Sequence, residues 1–288
     1  MSNPEVEELT RQVGRVLRIE DVTSGDPQKG YLARYRGQLR DGDSVEHYDR
    51  LADALAPYRL IPLFRIEDGR HAVYLAPKPA APKRERVSTN LILFLLTVFS
   101  VMLAGVQIEG PMPQDAAGQI LLMFKNIFSG WPFAVSLLGI LLAHELGHYF
   151  MSRHHKTPAT LPYFIPLPFS PLGTMGAAIL MRATPKNKRV LFDIGVAGPL
   201  CGLAVALPVL FLGLRLSTLN IIEANPAVFL EGNSLLYLFA KYAAFGRLLP
   251  APAEPQGILY WLRYFFTGRP APVGGLDVFI HPVAFAGW

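Results

Sequence analysis

Apolar and polar positions divide the chain near residue 77. Before that point charges of both signs recur throughout, and apolar runs are short. Val6, Leu9, Val13, Val16 and Leu17 repeat at helical spacing behind Asn3 and Pro4, a cap followed by a first-turn proline. A second helix is expected to open at Asp43, with Glu46 in the capping-box position and Tyr48, Leu51 and Leu55 on one face. Residues 31–39 and 60–75 alternate as strands do, and Asp68-Gly69 marks a hairpin turn. Residues 1–76 therefore read as a compact α+β domain of soluble character. Its His47 and His71 read as ordinary surface or core histidines.

The pattern then changes. Residues 77–89 form a proline-rich linker with Lys83, Arg84 and Arg86 at its end, an extended segment suited to an anionic membrane face. In residues 90–288, three long apolar stretches are expected to cross a bilayer: 90–108, 131–151 and 190–214. Each is close to the roughly 20 residues that a hydrocarbon core requires. Residues 160–181 are equally apolar, yet Pro162, Pro166, Pro168 and Pro171 forbid a regular helix there. Non-helical backbone is tolerated at that depth only when buried in protein or lining a wet cavity. This predicts a re-entrant, hairpin-like segment beside the second span, with an interfacial loop as the other reading. Shorter apolar pieces at 235–245 and 258–266 suit an extra-cytoplasmic cap or one more hydrophobic hairpin, and a further span is expected to start near 279–288. The fold class is thus a multi-pass α-helical membrane protein with a re-entrant β-hairpin-like segment and a small N-terminal α+β soluble domain.

Composition agrees with that division. Of 288 residues, 51% are hydrophobic and only 17% charged, and mean hydropathy is +0.29, values that favour a multi-spanning protein with a soluble appendage. The net charge of +5 does not require a nucleic-acid partner. Arg153, Lys156, Lys186, Lys188 and Arg189 sit at the ends of apolar stretches, where cytoplasmic flanks collect cations. The acidic first 30 residues contain no long apolar core, so no cleavable leader is expected and the N-terminal domain is assigned to the cytoplasm. Cys201 is the single cysteine. An intrachain disulfide and a cysteine-based zinc cluster are both excluded, and Cys201 reads as an inert packed side chain.

The second span carries the chemistry. His144, Glu145, Leu146, Gly147 and His148 form an H-E-x-x-H array. On a helix, positions i and i+4 share a face, so two imidazoles can hold one metal while the adjacent carboxylate serves a water beside it. Ionisable groups inside hydrocarbon are expensive and normally functional, which favours a metal site over coincidence. A substrate helix must unwind before its peptide bonds can be attacked. An irregular segment with free backbone edges could receive it as an added strand, and Gly173, Thr174, Met175 and Gly176 suit that role. Gly195, Gly198 and Gly202 repeat at the small-residue spacing of packed helices. Asp193 reads as a cap or as orienting a neighbour, and His154 and His155 read as snorkelling at the interface with Lys156.

His144-Glu145-Leu146-Gly147-His148-Tyr149 in a span, Leu172-Gly173-Thr174-Met175-Gly176-Ala177, and Phe192-Asp193 with Ala197-Gly198-Pro199 together resemble the site-2 protease family of intramembrane zinc metalloproteases. The similarity is to the bacterial and plastid branch with a soluble N-terminal region. It implies zinc at His144 and His148, Glu145 as general base, and the glycine-containing loop as a substrate-pairing hairpin. It also implies membrane-tethered proteins with a transmembrane helix as substrates, and residence in a lipid bilayer, the bacterial cell membrane being expected. The family draws a third zinc ligand from an aspartate in an L-D-G type motif on a later helix, and no match occurs here. Asp277, in Gly274-Gly275-Leu276-Asp277-Val278, echoes that motif but precedes His281-Pro282, which resembles the entry to the ligand helix. A C-terminal truncation is therefore expected. If the third ligand is truly absent, the alternative is a catalytically inactive membrane binder or chaperone.

Overall fold

The structure, a computed structural model, describes residues 3–26, 30–40, 43–78, 86–108, 113–222, 232, 234–254, 256–267 and 273–288. The chain forms two compact units. One comprises Met1–Arg84 with Ala183–Arg189, the other Glu85–Arg182 with Val190–Trp288. Most of the linker, including Lys83 and Arg84, lies outside the described residues.

In the first unit, α1 (Asn3–Gly14) and α2 (Ser44–Leu55) accompany an antiparallel sheet of β1 (Leu17–Asp26), β2 (Tyr31–Leu39), β3 (Leu60–Glu67) and β4 (Arg70–Pro77). The strand order is β1-β2-β4-β3. The core joins Leu9 and Val13 of α1, Leu51 and Leu55 of α2, and Leu17, Tyr35, Leu60, Val73 and Leu75 of the sheet. Asp68 and Gly69 both take positive φ, 50° and 75°, as a two-residue hairpin turn between right-twisted strands requires. Two expectations are corrected. Leu17 opens a strand instead of closing the first helix, because Gly14 ends the helix and the Ile19, Val22 and Thr23 run favours extended backbone. Asp43 caps α2 by accepting from the Val45 amide at 3.2 Å, but Glu46 turns to Arg50, so no capping box closes. His47 is buried, with Nε2 3.1 Å from the Arg40 carbonyl.

The second unit contains the long apolar helices α3 (Val87–Ala104), α5 (Trp131–His154) and α6 (Lys188–Leu216). By length and composition all three can cross a membrane. The polarity of α3 is inverted. On α3 the buried residues are Asn90, Thr97, Ser100 and Val101, while Leu91, Ile92, Leu95, Leu96 and Phe99 face outward. Such a surface needs an apolar surrounding, since only 22%, 33% and 22% of the three spanning windows is buried within the protein. Between α3 and α5 lies a short helix, α4 (Ala116–Lys125), capped by Asp115.

Residues 160–181 contain β5 (Tyr163–Pro166) and β6 (Thr174–Ala178), an antiparallel hairpin. The ladder continues past the strands through Thr160 N to Leu180 O (2.9 Å) and Arg182 N to Pro158 O (2.7 Å). The C-terminal part adds a second antiparallel strand pair that composition did not announce, β7 (Thr218–Ile221) with β8 (Leu276–Phe279). It also adds α7 (Leu235–Phe245), α8 (Ile258–Thr267) and α9 (Pro282–Gly287). Pro282 occupies the first helical turn of α9, and the His281 side chain accepts from the Val283 amide at 3.3 Å. Phe285 of α9 stacks on Phe133 of α5 at 5.7 Å.

Candidate metal and proteolytic site

Two of the motif residues are set as a metal would need them. His144 Nε2 and His148 Nε2 lie 3.1 Å apart. Two nitrogen ligands at 2.0–2.1 Å in a tetrahedral zinc site stand about 3.3 Å from each other, so little movement separates the pair from a clamp. The orientation of His148 is fixed from behind: its Nδ1 donates to the Ile194 carbonyl of α6 at 2.6 Å. That bond holds the tautomer with Nε2 free to ligate. The donor set of two imidazoles with an adjacent carboxylate suits zinc, and these residues fit it.

Helix α6 reaches the histidines because it lacks side chains there. A Cβ built on Gly198 would stand 2.1 Å from His148 Nε2, and one on Gly202 would stand 3.2 Å from His144 Nδ1. On the facing helix a Cβ on Gly147 would lie 2.6 Å from the Ala197 carbonyl. The glycine repeat is thus a packing device, as its spacing suggested, but what it packs against is the pair of imidazoles. Gly195, in contrast, faces open space.

Glu145 is buried and opens with His148 into a cavity of about 340 Å³, whose other walls are Ala177, Ala178, Ile179 and Met181 after the hairpin turn and Leu191, Ile194 and Gly195 of α6. The far edge of β6 has no strand partner among the described residues. The sequence-predicted hairpin residues sit elsewhere. Gly173 (φ 71°) lies at the turn against α3. Thr174 is buried and donates to the Ile165 carbonyl at 2.8 Å. Met175 is 74% exposed, and Gly176 (φ 109°) faces open space. Gly173 and Ile179 are separated by about 20 Å of extended chain, so the strand's later residues, not its first, stand beside Glu145. Sequence reasoning missed residues 177–179 because they are small or apolar. The Ile194 carbonyl left no signal at all.

Other expectations resolve differently. Asp277 is no companion of the histidines: buried in the β7–β8 strand pair, it accepts from the Val278 amide at 2.8 Å and has Oδ1 3.5 Å from Lys241 Nζ. His155 does not snorkel, because Asp193 of α6 holds its Nε2 at 3.0 Å. Cys201 is exposed, although its Cβ lies 2.9 Å from where a Cβ on Gly147 of α5 would stand. Among the described residues no group of three histidine, cysteine or acidic side chains is arranged to hold a metal.

Comparison with known proteins agrees with this geometry. Residues 132–273 match the model of peptidase family M50. The probable zinc metalloprotease EGY1, chloroplastic, of rice (japonica) is 33% identical over 212 residues, which cover 65% of this chain and 36% of that protein. Its counterpart in Arabidopsis thaliana is 30% identical over 208 residues, 65% and 37% of the two chains. The probable zinc metalloprotease EGY2, chloroplastic, of rice (indica) is 27% identical over 224 residues, 73% and 39%. The chain thus spans well under half the length of these relatives, and no solved structure matches it. With the H-E-x-x-H helix, its glycine-lined neighbour and the hairpin all inside or bordering the matched segment, residues 132–273 form a peptidase family M50 domain, of the site-2 protease class.

Proposed function

We propose that this chain is a zinc-dependent endopeptidase that hydrolyses peptide bonds in the transmembrane segments of membrane-tethered proteins. The observation that carries the reading is the 3.1 Å separation of the two imidazole nitrogens, oriented by Ile194 and adjoining Glu145, on a helix able to span a bilayer. His144 and His148 would hold the zinc, which supplies Lewis acidity toward water and a scissile carbonyl. Glu145 takes the proton of the attacking water and delivers it to the leaving amine. The open edge of β6 offers main-chain groups to an unwound substrate, so that its peptide groups stay paired at membrane depth. Residues 177–179 would present that strand to Glu145, with Gly173 closing the turn and Thr174–Gly176 forming the strand's first residues. The cationic ends of the spans and the N-terminal unit are assigned to the cytoplasmic side by their charges.

The test is Glu145→Gln in the full chain, reconstituted with a membrane-tethered reporter. Cleavage should fall by about 10²–10⁴-fold while stoichiometric zinc, measured by elemental analysis, is retained. His148→Ala should lose both. Undiminished cleavage by the Glu145→Gln protein would refute the assignment. The absence of a three-residue ligand cluster among the described residues favours a second reading, a binder of transmembrane segments without catalysis. It predicts reporter binding without cleavage and no zinc in the wild-type chain.

A further inference from the structure

The buried face of α3 carries polar groups exactly where the hairpin needs them held. Asn90 Nδ2 donates to two successive carbonyls, Leu161 O and Pro162 O, each at 3.1 Å. Ten residues along, Ser100 Oγ donates to the Gly173 carbonyl at 2.5 Å, which also accepts from the Leu167 amide at 3.1 Å. Ten helical residues rise about 15 Å, and the five steps from Pro162 to Leu167 extend about 17 Å. The helix and β5 are therefore matched in length, with one polar pin at each end. Phe94 and Phe164 meet between the pins at 5.0 Å. At the turn the fit is too close for any side chain, since a Cβ on Gly173 would stand 2.5 Å from the Ser100 carbonyl.

The two ends are not equivalent. Tyr163 pairs with Ala178, and Ala177 and Ala178 form the cavity wall facing Glu145 and His148. Asn90 thus grips the strand end across from the reacting groups, whereas Ser100 grips the remote turn. In an apolar surrounding few competing donors exist for these carbonyls, which raises the weight of each pin.

We propose that Asn90 is a positioning residue: through the Leu161 and Pro162 carbonyls it sets the distance of the hairpin's unpaired edge from Glu145, and so selects which peptide bond of a substrate is cut. The cleavage-site part of this rests on the reading of β6 as the substrate-pairing strand, whereas the clamp itself does not. The Asn90 Oδ1 atom is buried without a protein hydrogen bond among the described residues. Asn90→Leu removes that unsatisfied acceptor but also takes the donor from the Leu161 and Pro162 carbonyls, so its cost falls on that end of the hairpin.

The experiment uses the full chain in lipid nanodiscs, comparing wild type, Asn90→Leu and Ser100→Ala. Hydrogen exchange is followed by mass spectrometry, and reporter products are mapped by mass. Asn90→Leu is expected to speed exchange of the amides in 158–162 and 177–182 about tenfold, leaving 166–174 unchanged. It should also spread cleavage over neighbouring bonds. Ser100→Ala should do the reverse, loosening 166–174 while keeping the wild-type cleavage position. Unaltered exchange at 177–182 in Asn90→Leu overturns the clamp, as does loosening of the whole segment by either variant alike. Should Asn90→Leu not fold, the regional pattern in Ser100→Ala decides the clamp. Altered exchange with an unmoved cleavage position overturns the selecting role alone. A wild-type chain that cleaves no reporter refutes the proteolytic reading, yet leaves the exchange result to judge the clamp.

Discussion

Replacing Gly198 with alanine tests whether α6 shapes the metal site through empty space. The added Cβ would stand 2.1 Å from His148 Nε2, 2.4 Å from Cδ2 and 2.5 Å from Cε1. Ordinary contact begins near 3.4 Å, so the ring must retreat by more than 1 Å. Metal–ligand bonds tolerate about 0.2 Å. The atoms in the way belong to the end of a side chain, so the helix pair survives and the imidazole swings aside, giving up its bond to Ile194. Alanine also raises helix propensity by about 1 kcal/mol over glycine, which offsets part of any packing loss. The expected phenotype is a folded protein whose zinc affinity falls by about 10–100-fold, with reporter cleavage lost in parallel. Two further glycines calibrate the result. At Gly195 a Cβ meets nothing, so Gly195→Ala should bind zinc as wild type does; at Gly202 the nearest ring atom is 3.2 Å away, so Gly202→Ala should lie between. Zinc content after dialysis against a graded chelator, alongside circular dichroism, gives the order directly. Wild-type zinc retention by Gly198→Ala, or equal loss in all three, would refute the steric argument.

The remaining predictions concern what supports the site. Gly213→Ala should push α9 away from α6, because its Cβ would fall 2.1 Å from the Ala284 amide nitrogen; overpacking of this kind costs about 1–3 kcal/mol, readable as a lowered melting temperature. Lys241→Met should lower stability by removing the cation 3.5 Å from the buried Asp277 carboxylate, readable as a lowered midpoint in chemical denaturation. Leu51→Ala, in the core of the N-terminal unit, should destabilise that unit by about 2–5 kcal/mol. Because that cost falls within the N-terminal unit's own core, zinc content should remain at the wild-type level.

What the sequence made legible was governed by period and by chemical type. The i, i+4 histidines declared a shared helical face, and α5 places their Nε2 atoms 3.1 Å apart. Four prolines in an apolar stretch ruled out a helix, and an antiparallel hairpin stands there. Positions 144, 145 and 148 were readable because their chemistry is rare in hydrocarbon. The Ile194 carbonyl was not, since every residue carries a carbonyl and only the fold decides which one meets an imidazole. Ala177, Ala178 and Ile179 were hidden for a related reason: they contribute backbone and volume, and neither has a letter in the sequence. Reading Gly173–Gly176 as the contact surface followed from the idea that glycine marks close approach. The approach at Gly173 is real, but it is to Ser100 and Val101 of α3. The glycines that face the chemistry are Gly198 and Gly202, whose spacing speaks only of helix packing. In a bilayer the two meanings merge, because a helix that must bring its backbone against a neighbour gives up side chains wherever the neighbour carries something large, and here the large groups are the two imidazoles. The same logic locates Asn90. A lone amide in an apolar helix is costly unless it finds carbonyls to serve, and those of Leu161 and Pro162 stand within its reach.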